Sequence, residues 1–234
     1  MLFARSRSYE DIVPARSPKE LLMMVEKLLP EVVYNMARLE RNPYTYPEVK
    51  TLLDGVTVGG HKLSDEQQVL SIRNGWNFVI DAVLNNKVSL DIDTFNNLSE
   101  LIAKEEALVS GKFRTGEVRI GGTDFIPPRA EELERTFDIE LPIILERCKS
   151  KIDLAFEIFL WMSLNQFYYD GNKRISRLVA NTILISSGQG IFNIRVKDRL
   201  QFNIFMVRFY NTKDAADIFE FLYDNCLERD YYES

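Results

Sequence analysis

At 234 residues the chain has room for one large domain or two small ones, and its 46% hydrophobic content is that of an ordinary globular protein. A formal charge of −6 and a pI of about 5.1 argue against a nucleic-acid surface as its main business. Cys148 and Cys226 have neither metal nor redox spacing, no apolar run is long enough to span a bilayer, and the opening Met1–Ser8 is too short and polar for a signal peptide, so a cytoplasmic setting is expected.

Residues 1–16 read as an irregular arm ahead of a single domain at 17–234. Ser17-Pro18-Lys19-Glu20 is a capping box with proline at the first helical position. Leu22, Val25, Leu29, Val32, Met36 and Leu39 carry a helical stripe to about Glu40, with a kink or split expected at Pro30. Residues 41–47 read as a connection, and Thr51–Gly60 as a helical turn that ends at Gly55 and leads into a loop. Ser64-Asp65-Glu66-Gln67 is a second capping box, for a helix to about Leu84, and Asp91 or Asp93 caps another that carries Phe95, Leu98, Leu101, Ile102 and Leu108. The pattern then changes. Residues 111–122 alternate with period two around a glycine turn, Val118 and Ile120 on one face and Glu117 and Arg119 on the other, which predicts a small β-hairpin ended by Pro127-Pro128. Helices are expected at 130–148 with a break near Pro142, at 150–168 as a central buried helix, after Gly171, and at about 197–210 and 213–228. The expected architecture is mainly α, a helical bundle with one small hairpin.

The stretch from Gln166 to Arg177 organises the rest. It reads as the end of one helix, a tight Asp170-Gly171 turn, and the start of another helix with Asn172 as its cap. Ile175, Leu178, Val179, Thr182 and Ile183 form a mostly apolar stripe on that second helix, while Lys173, Arg174 and Arg177 fall within about 100° of arc elsewhere. Unpaired N–H groups, the positive helix end and these cations make a phosphate cradle, and Asp170 is an oxygen ligand of the kind Mg²⁺ takes beside phosphates. The alternative is a loop with a solvated basic first turn. It conflicts with the dipole, because cations at a helix start are unfavourable unless an anion sits there. His61, the one histidine, lies far away in sequence and reads as a loop residue.

Asp170-Gly171-Asn172-Lys173-Arg174 with Arg177 resembles the signature of the Fic/Doc family, His-Pro-Phe-x-Asp/Glu-Gly-Asn-Gly/Lys-Arg-x-x-Arg at a helix–turn–helix junction. Residues 111–122 and the prolines after them resemble the family's flap hairpin, and the resemblance covers roughly residues 50–210. It implies a Fic-type helical bundle that moves AMP from ATP, with Mg²⁺, onto a Ser, Thr or Tyr hydroxyl of a target protein. Asp170 would hold the metal; Gly171 and the Asn172 amide would bind phosphate oxygens; Arg174 and Arg177 would neutralise the diphosphate region and the terminal phosphate. The flap, Thr115, Gly116, Val118 and Ile120, would clamp a target segment by strand addition, although Val118 and Ile120 serve equally well as packing residues. Lys173 matches Doc-like toxins, which transfer phosphate, and keeps that alternative open.

The first half of the motif departs from the pattern. Gln166, Phe167 and Tyr168 stand at the histidine, proline and phenylalanine places. In the family the histidine takes the proton of the attacking hydroxyl, and a glutamine amide cannot. The resemblance therefore implies a nucleotide-binding protein with weak or absent transfer, or a pseudoenzyme that acts as an interaction module. Many relatives also carry an inhibitory helix, Ser/Thr-x-x-x-Glu-Gly/Asn, whose glutamate pairs with the second motif arginine. Asp54, before Gly55 and with Lys50 at the Ser/Thr place, is the candidate here, expected to pair with Arg177 if it is not a plain turn residue. The target protein, and any homodimer or regulatory partner, stay unnamed.

Overall fold

Helix α6 (Lys151–Asn165) is the axis of the molecule, buried without a break from Ile152 to Asn165. It starts where the Ser150 hydroxyl accepts the Asp153 N–H, and it is apolar nearly all round, as a helix enclosed on every side must be. The computed structural model of the protein describes residues 1–5 and 7–230. The other helices are α1 (Pro18–Leu39), α2 (Tyr46–Leu53), α3 (Leu63–Leu84), α4 (Ile92–Ala103), α5 (Leu133–Arg147), α7 (Asn172–Ser186), α8 (Arg199–Thr212) and α9 (Ala216–Cys226), of which α7 and α5 pack directly on α6. Helix α7 packs against α6 on one side and against α3, α4 and α1 on others, so its first turn sits where several elements meet. The mainly helical architecture is as expected, and no helix among the described residues is long and apolar enough to cross a membrane.

Local chemistry accounts for most boundaries. The Ser17–Glu20 capping box forms, and Asp91 caps α4 by accepting the Thr94 N–H. Two expectations move by a residue or two. Helix α3 starts at Leu63, with Lys62 as its cap and the Asp65 carboxylate accepting the Lys62 N–H at 3.2 Å, so the box expected at Ser64 is not used. Helix α2 begins at Tyr46, inside the stretch read as a connection. Neither Pro30 nor Pro142 splits its helix. Each proline forfeits a backbone bond, but Val25, Val32 and Val33 in α1, and Leu141 and Ile144 in α5, are buried on both sides of it, and packing holds the helix together.

The arm is irregular but tied down. Phe3 and Tyr9 are buried, Tyr9 rests on Phe219 and Tyr223, and the Tyr9 N–H donates to Asp153 at 2.8 Å. Arg5 reaches Asp153 at 2.8 Å and Glu157 at 3.4 Å, and Arg147 also pairs with Glu157, which neutralises two buried carboxylates on the central helix.

The small sheet lies elsewhere than expected. Strands β1 (Ile191–Phe192) and β2 (Leu227–Glu228) pair antiparallel, with Ile191 opposite Glu228 and Phe192 opposite Leu227. Residues 111–122 form no ladder. Their alternation is real, since Val118 and Ile120 are half-buried and Glu117 and Arg119 exposed. Their backbone is claimed by another partner, however. The Arg114 N–H donates to Phe167 O at 2.9 Å, and its buried guanidinium donates to Gln166 O and Gly116 O at 2.7 Å and to Pro128 O at 2.5 Å. One arginine thus bolts the segment to the turn between α6 and α7. Arg114→Ala leaves those carbonyls without their donor and should cost roughly 2–3 kcal/mol. Thermal melting together with faster tryptic cleavage at Lys112 and Arg119 checks this; an unchanged melting point and unchanged cleavage overturn the bolt.

Candidate functional site

The turn between α6 and α7 is built by its own side chains. Gln166 ends α6 in the left-handed region (φ 48°), with its N–H on Met162 O at 3.0 Å. Phe167 and Tyr168 then turn into the core, Phe167 within 4.8 Å of both Phe113 and Trp161. Gly171, not Asn172, is the cap residue of α7, with φ 75°; a Cβ there would press on Ile102 at 3.1 Å and Ala103 at 3.3 Å. Asn172 is the first helical residue and folds the turn back on itself. Its Oδ1 accepts the Tyr168 N–H at 2.9 Å, and its Nδ2 donates to Tyr168 O at 2.7 Å and Gln166 Oε1 at 3.1 Å. The Gln166 amide also donates to Ser163 O at 2.6 Å, so both ends of that side chain are engaged.

The basic residues are not a solvated face. Arg174 and Arg177 are each 2% exposed. They do not share one anion as expected; each faces its own carboxylate. Arg174 makes a two-pronged pair with Glu106, 2.7 Å on both arms, and reaches Asp170 Oδ1 at 3.3 Å. Arg177 donates to Glu40 at 2.9 Å and to Lys173 O at 2.9 Å. Burial, with Arg174 adding to it, pushes the Arg177 guanidinium down to about 10 in spite of Glu40. Its charged form is therefore less favoured there than in water. Arg174 goes the other way: burial would lower it, but Glu106, Glu40 and Asp170 outweigh burial and raise it. For Glu40, burial opposes ionisation, yet Lys173, Arg177 and Arg174 hold its carboxyl below the ordinary 4.5. Lys173 and Glu40 border a cavity of about 440 Å³, closed by Arg41, Ile120, Gly122 and Tyr210.

The expected inhibitory pair is corrected here. Asp54 is exposed at the end of α2, and the carboxylate on Arg177 is Glu40, just past the end of α1. Met36 stands at the Ser/Thr place of the inhibitory pattern and Arg41 at its Gly/Asn place, so the pattern did not mark this helix. The signal was conformational: Arg41 takes φ 66°, the backbone that Gly or Asn would favour. Glu106 had no signal either, lying in an acidic pair at the end of α4 that looks like solvated surface.

Other predicted residues fall around the turn. Thr115 Oγ1 is 3.1 Å from Tyr169 OH, and Gly116 lies against the same ring, where a Cβ would meet Tyr169 OH at 2.9 Å. Val118 is half-buried, and Ile120 reaches the cavity wall. His61 packs on Tyr44 and lies 3.1 Å from Glu48, beside α2, with no contact to Gln166. Asp170 is exposed, and its Oδ1 accepts the Gly171 N–H at 2.5 Å. Among the described residues no three metal-ligating side chains gather. A lone carboxylate beside a phosphate cradle fits Mg²⁺, which takes one or two carboxylates and completes its shell with phosphates and water.

Residues 89–184, which run from the start of α4 through the turn to the end of α7, match the model of the Fic/DOC family. Curated relatives include the protein adenylyltransferase Fic of Nematostella vectensis, 22% identical over 204 residues and matching 84% of this chain and 46% of its own. That of Drosophila sechellia is 24% identical over 206 residues, with 84% and 40% covered. The chain thus spans less than half the length of these relatives. Among solved structures, a Fic domain containing signaling protein from Bacteroides thetaiotaomicron superposes with a TM-score of 0.70 at 22% identity, covering 83% of this chain and 76% of that one. Fic-1 from C. elegans superposes with a TM-score of 0.69 at 16% identity, covering 88% and 68%. At such identities the structural likeness speaks for the fold. The stretch similar to the Fic/DOC family, residues 89–184, contains the turn described above.

Because Glu40 is held below its ordinary 4.5, its pair with Arg177 adds stability that is complete above that value and is lost as pH falls through the lower folded value. Glu40→Gln should melt below wild type near pH 7, and the gap should close as pH falls below the ordinary carboxyl value of 4.5. Melting curves across that range check the sign; a gap that widens in acid overturns the pairing.

Proposed function

We propose that this site binds Mg-ATP, and that the chain is an AMP-transfer protein of the Fic type whose transfer step is weak or absent. The observation that carries the reading is the pair of buried guanidiniums at a glycine-bent helix start, each matched to a carboxylate of the chain itself. Buried arginines at a helix start, one of them paired with Glu40 at the edge of a cavity, are what a polyphosphate site needs, and Glu40 and Glu106 occupy the places of anions. Arg174 and Arg177 would take the phosphates, with the Gly171 and Asn172 amides at the helix start, and Lys173 would add charge from the cavity side. Bound Mg²⁺, held by Asp170, would supply neutralisation of the phosphate charge.

Gln166 limits the chemistry. Its amide has no useful basicity at neutrality, and its two ends are engaged by Ser163 O and Asn172, so it can orient a hydroxyl but cannot accept its proton. A missing general base costs typically about 10²–10⁴ in rate. The target would be a protein hydroxyl presented along residues 115–120. That segment forms no ladder of its own, which leaves backbone groups for an added strand. Glu40 on Arg177 is then an inhibitory contact that a triphosphate must displace. A second reading is phosphate transfer of the Doc type, favoured by Lys173 standing at the cavity beside Glu40.

Gln166→His in a Glu40→Gly background should raise self-labelling from ATP marked on the α-phosphate by about 10² or more over the same background with Gln166. Label from the γ-phosphate instead selects the kinase reading. Equal labelling with Gln166 in place overturns the missing-base argument. Calorimetric titration with Mg-ATP should show binding that Arg174→Ala abolishes; binding that survives Arg174→Ala moves the nucleotide out of this cradle.

A further inference from the structure

We propose that Glu106 is a second internal anion of the site, independent of Glu40, which a phosphate must displace from Arg174 and whose release frees the segment joining α4 to residues 111–122. The inference rests on the phosphate-binding reading above. Its basis is the contact geometry. Both Glu106 oxygens are 2.7 Å from the two terminal nitrogens of Arg174, the arrangement a phosphate would adopt on the same fork. Arg174 is 2% exposed while the Glu106 side chain is 23% exposed, so the carboxylate closes the guanidinium off from water. The same guanidinium touches Asp170, which places Glu106, Arg174 and Asp170 in one charge chain.

Glu106 is also held in position from a second side. Gln68 Nε2, on α3, lies 3.3 Å from both of its oxygens, while Gln68 Oε1 accepts from Asn42 Nδ2 at 3.0 Å. Asn42 is two residues beyond Glu40 and is anchored to the end of α1 by its N–H on Ala37 O. The two carboxylates are therefore joined through Asn42 and Gln68, yet sit on different arginines.

The segment that carries Glu106 is otherwise lightly tethered. Glu106 and Ala107 donate backbone bonds to Ala103, Ser110 Oγ donates to Glu100, and Gly111 N–H reaches Ser99 Oγ at 3.4 Å. Leu108 is 80% exposed. The charged fork to buried Arg174 is thus a principal side-chain tie between Ala103 and Ser110, ahead of the point where Phe113 enters the aromatic core. A phosphate that takes over Arg174 would remove it and loosen the chain just upstream of residues 115–120, where a target segment would lie. Phosphate occupancy and the position of that segment would then be linked by one side chain.

The test compares Glu106→Gln with Glu105→Gln, an exposed neighbour that carries the same charge change. The probes are Mg-ATP and inorganic triphosphate, measured by calorimetry on the full chain. Glu106→Gln should bind both about tenfold to a hundredfold tighter than wild type, whereas Glu105→Gln should differ little. Trypsin cleavage after exposed Lys104 is the second readout. In wild type it should accelerate when triphosphate is added; in Glu106→Gln it should be fast from the start. Arg174→Ala, which removes the other half of the fork, should also cut fast without triphosphate. Equal affinities for Glu106→Gln and wild type, or equal gains in both glutamine variants, overturn the proposal. So does cleavage that triphosphate leaves unchanged. Triphosphate binding that tightens as expected while Mg-ATP never binds, even in Glu40→Gly, keeps the proposal and discards the ATP reading.

Discussion

A helix start that carries two buried guanidiniums must be given negative charge, and this requirement organises the structure around α7. The helix dipole and the unpaired N–H groups already make the place positive, and Lys173, Arg174 and Arg177 make it more so. The chain supplies the anions from two distant points, Glu40 at the end of α1 and Glu106 just beyond α4, with Asp170 from the turn itself. Burial still pushes the Arg177 guanidinium down to about 10, with Glu40 acting against it. A protein built only for stability would put apolar side chains at such positions. Here two arginines are kept there instead, each facing a carboxylate of the chain itself, and one of those carboxylates, Glu40, borders a cavity.

The same turn is held rigid from the other side. Asn172 folds it back onto Tyr168 and Gln166, Phe167 anchors it among Phe113, Phe137 and Trp161, and Arg114 binds its carbonyls to the segment at 111–128. Rigidity here suits a cradle that must present backbone amides at fixed positions. It also explains why residues 111–122 have the alternation of a strand without the ladder of one. Their strongest hydrogen-bonding partner is the turn and not each other. The position of Gln166 is then well defined: its amide is held by Ser163 O and by Asn172.

Much of this was legible from residues alone, for local reasons. Helices α1, α4, α6 and α7 announced themselves through caps and apolar periodicity, and the Gly171 bend through the one residue type that accepts its backbone angle. Other features were not legible. Pro30 and Pro142 did not break their helices, because core packing on both sides outweighs one lost bond. Strands β1 and β2 are two residues each, too short to leave a pattern. The carboxylate on Arg177 is Glu40 instead of Asp54, and Arg41 after it occupies a left-handed position usually marked by Gly or Asn, which nothing in its side chain declares.

The sequence by itself determined the local shape of the turn. Asp170-Gly171-Asn172-Lys173-Arg174 and Arg177 define a bent, basic helix start, and an amide side chain, Gln166, stands at the end of the preceding helix. These are properties of neighbouring residues, set by backbone geometry and side-chain type. Only the tertiary structure decided which anions meet those cations. Glu40 and Glu106 lie 137 and 68 residues from their arginines, and nothing local distinguishes them from surface glutamates. Their role arises because α1 and α4 pack against α7 and bring their ends to its start. Ion pairing over that sequence distance is a consequence of how the helices stack.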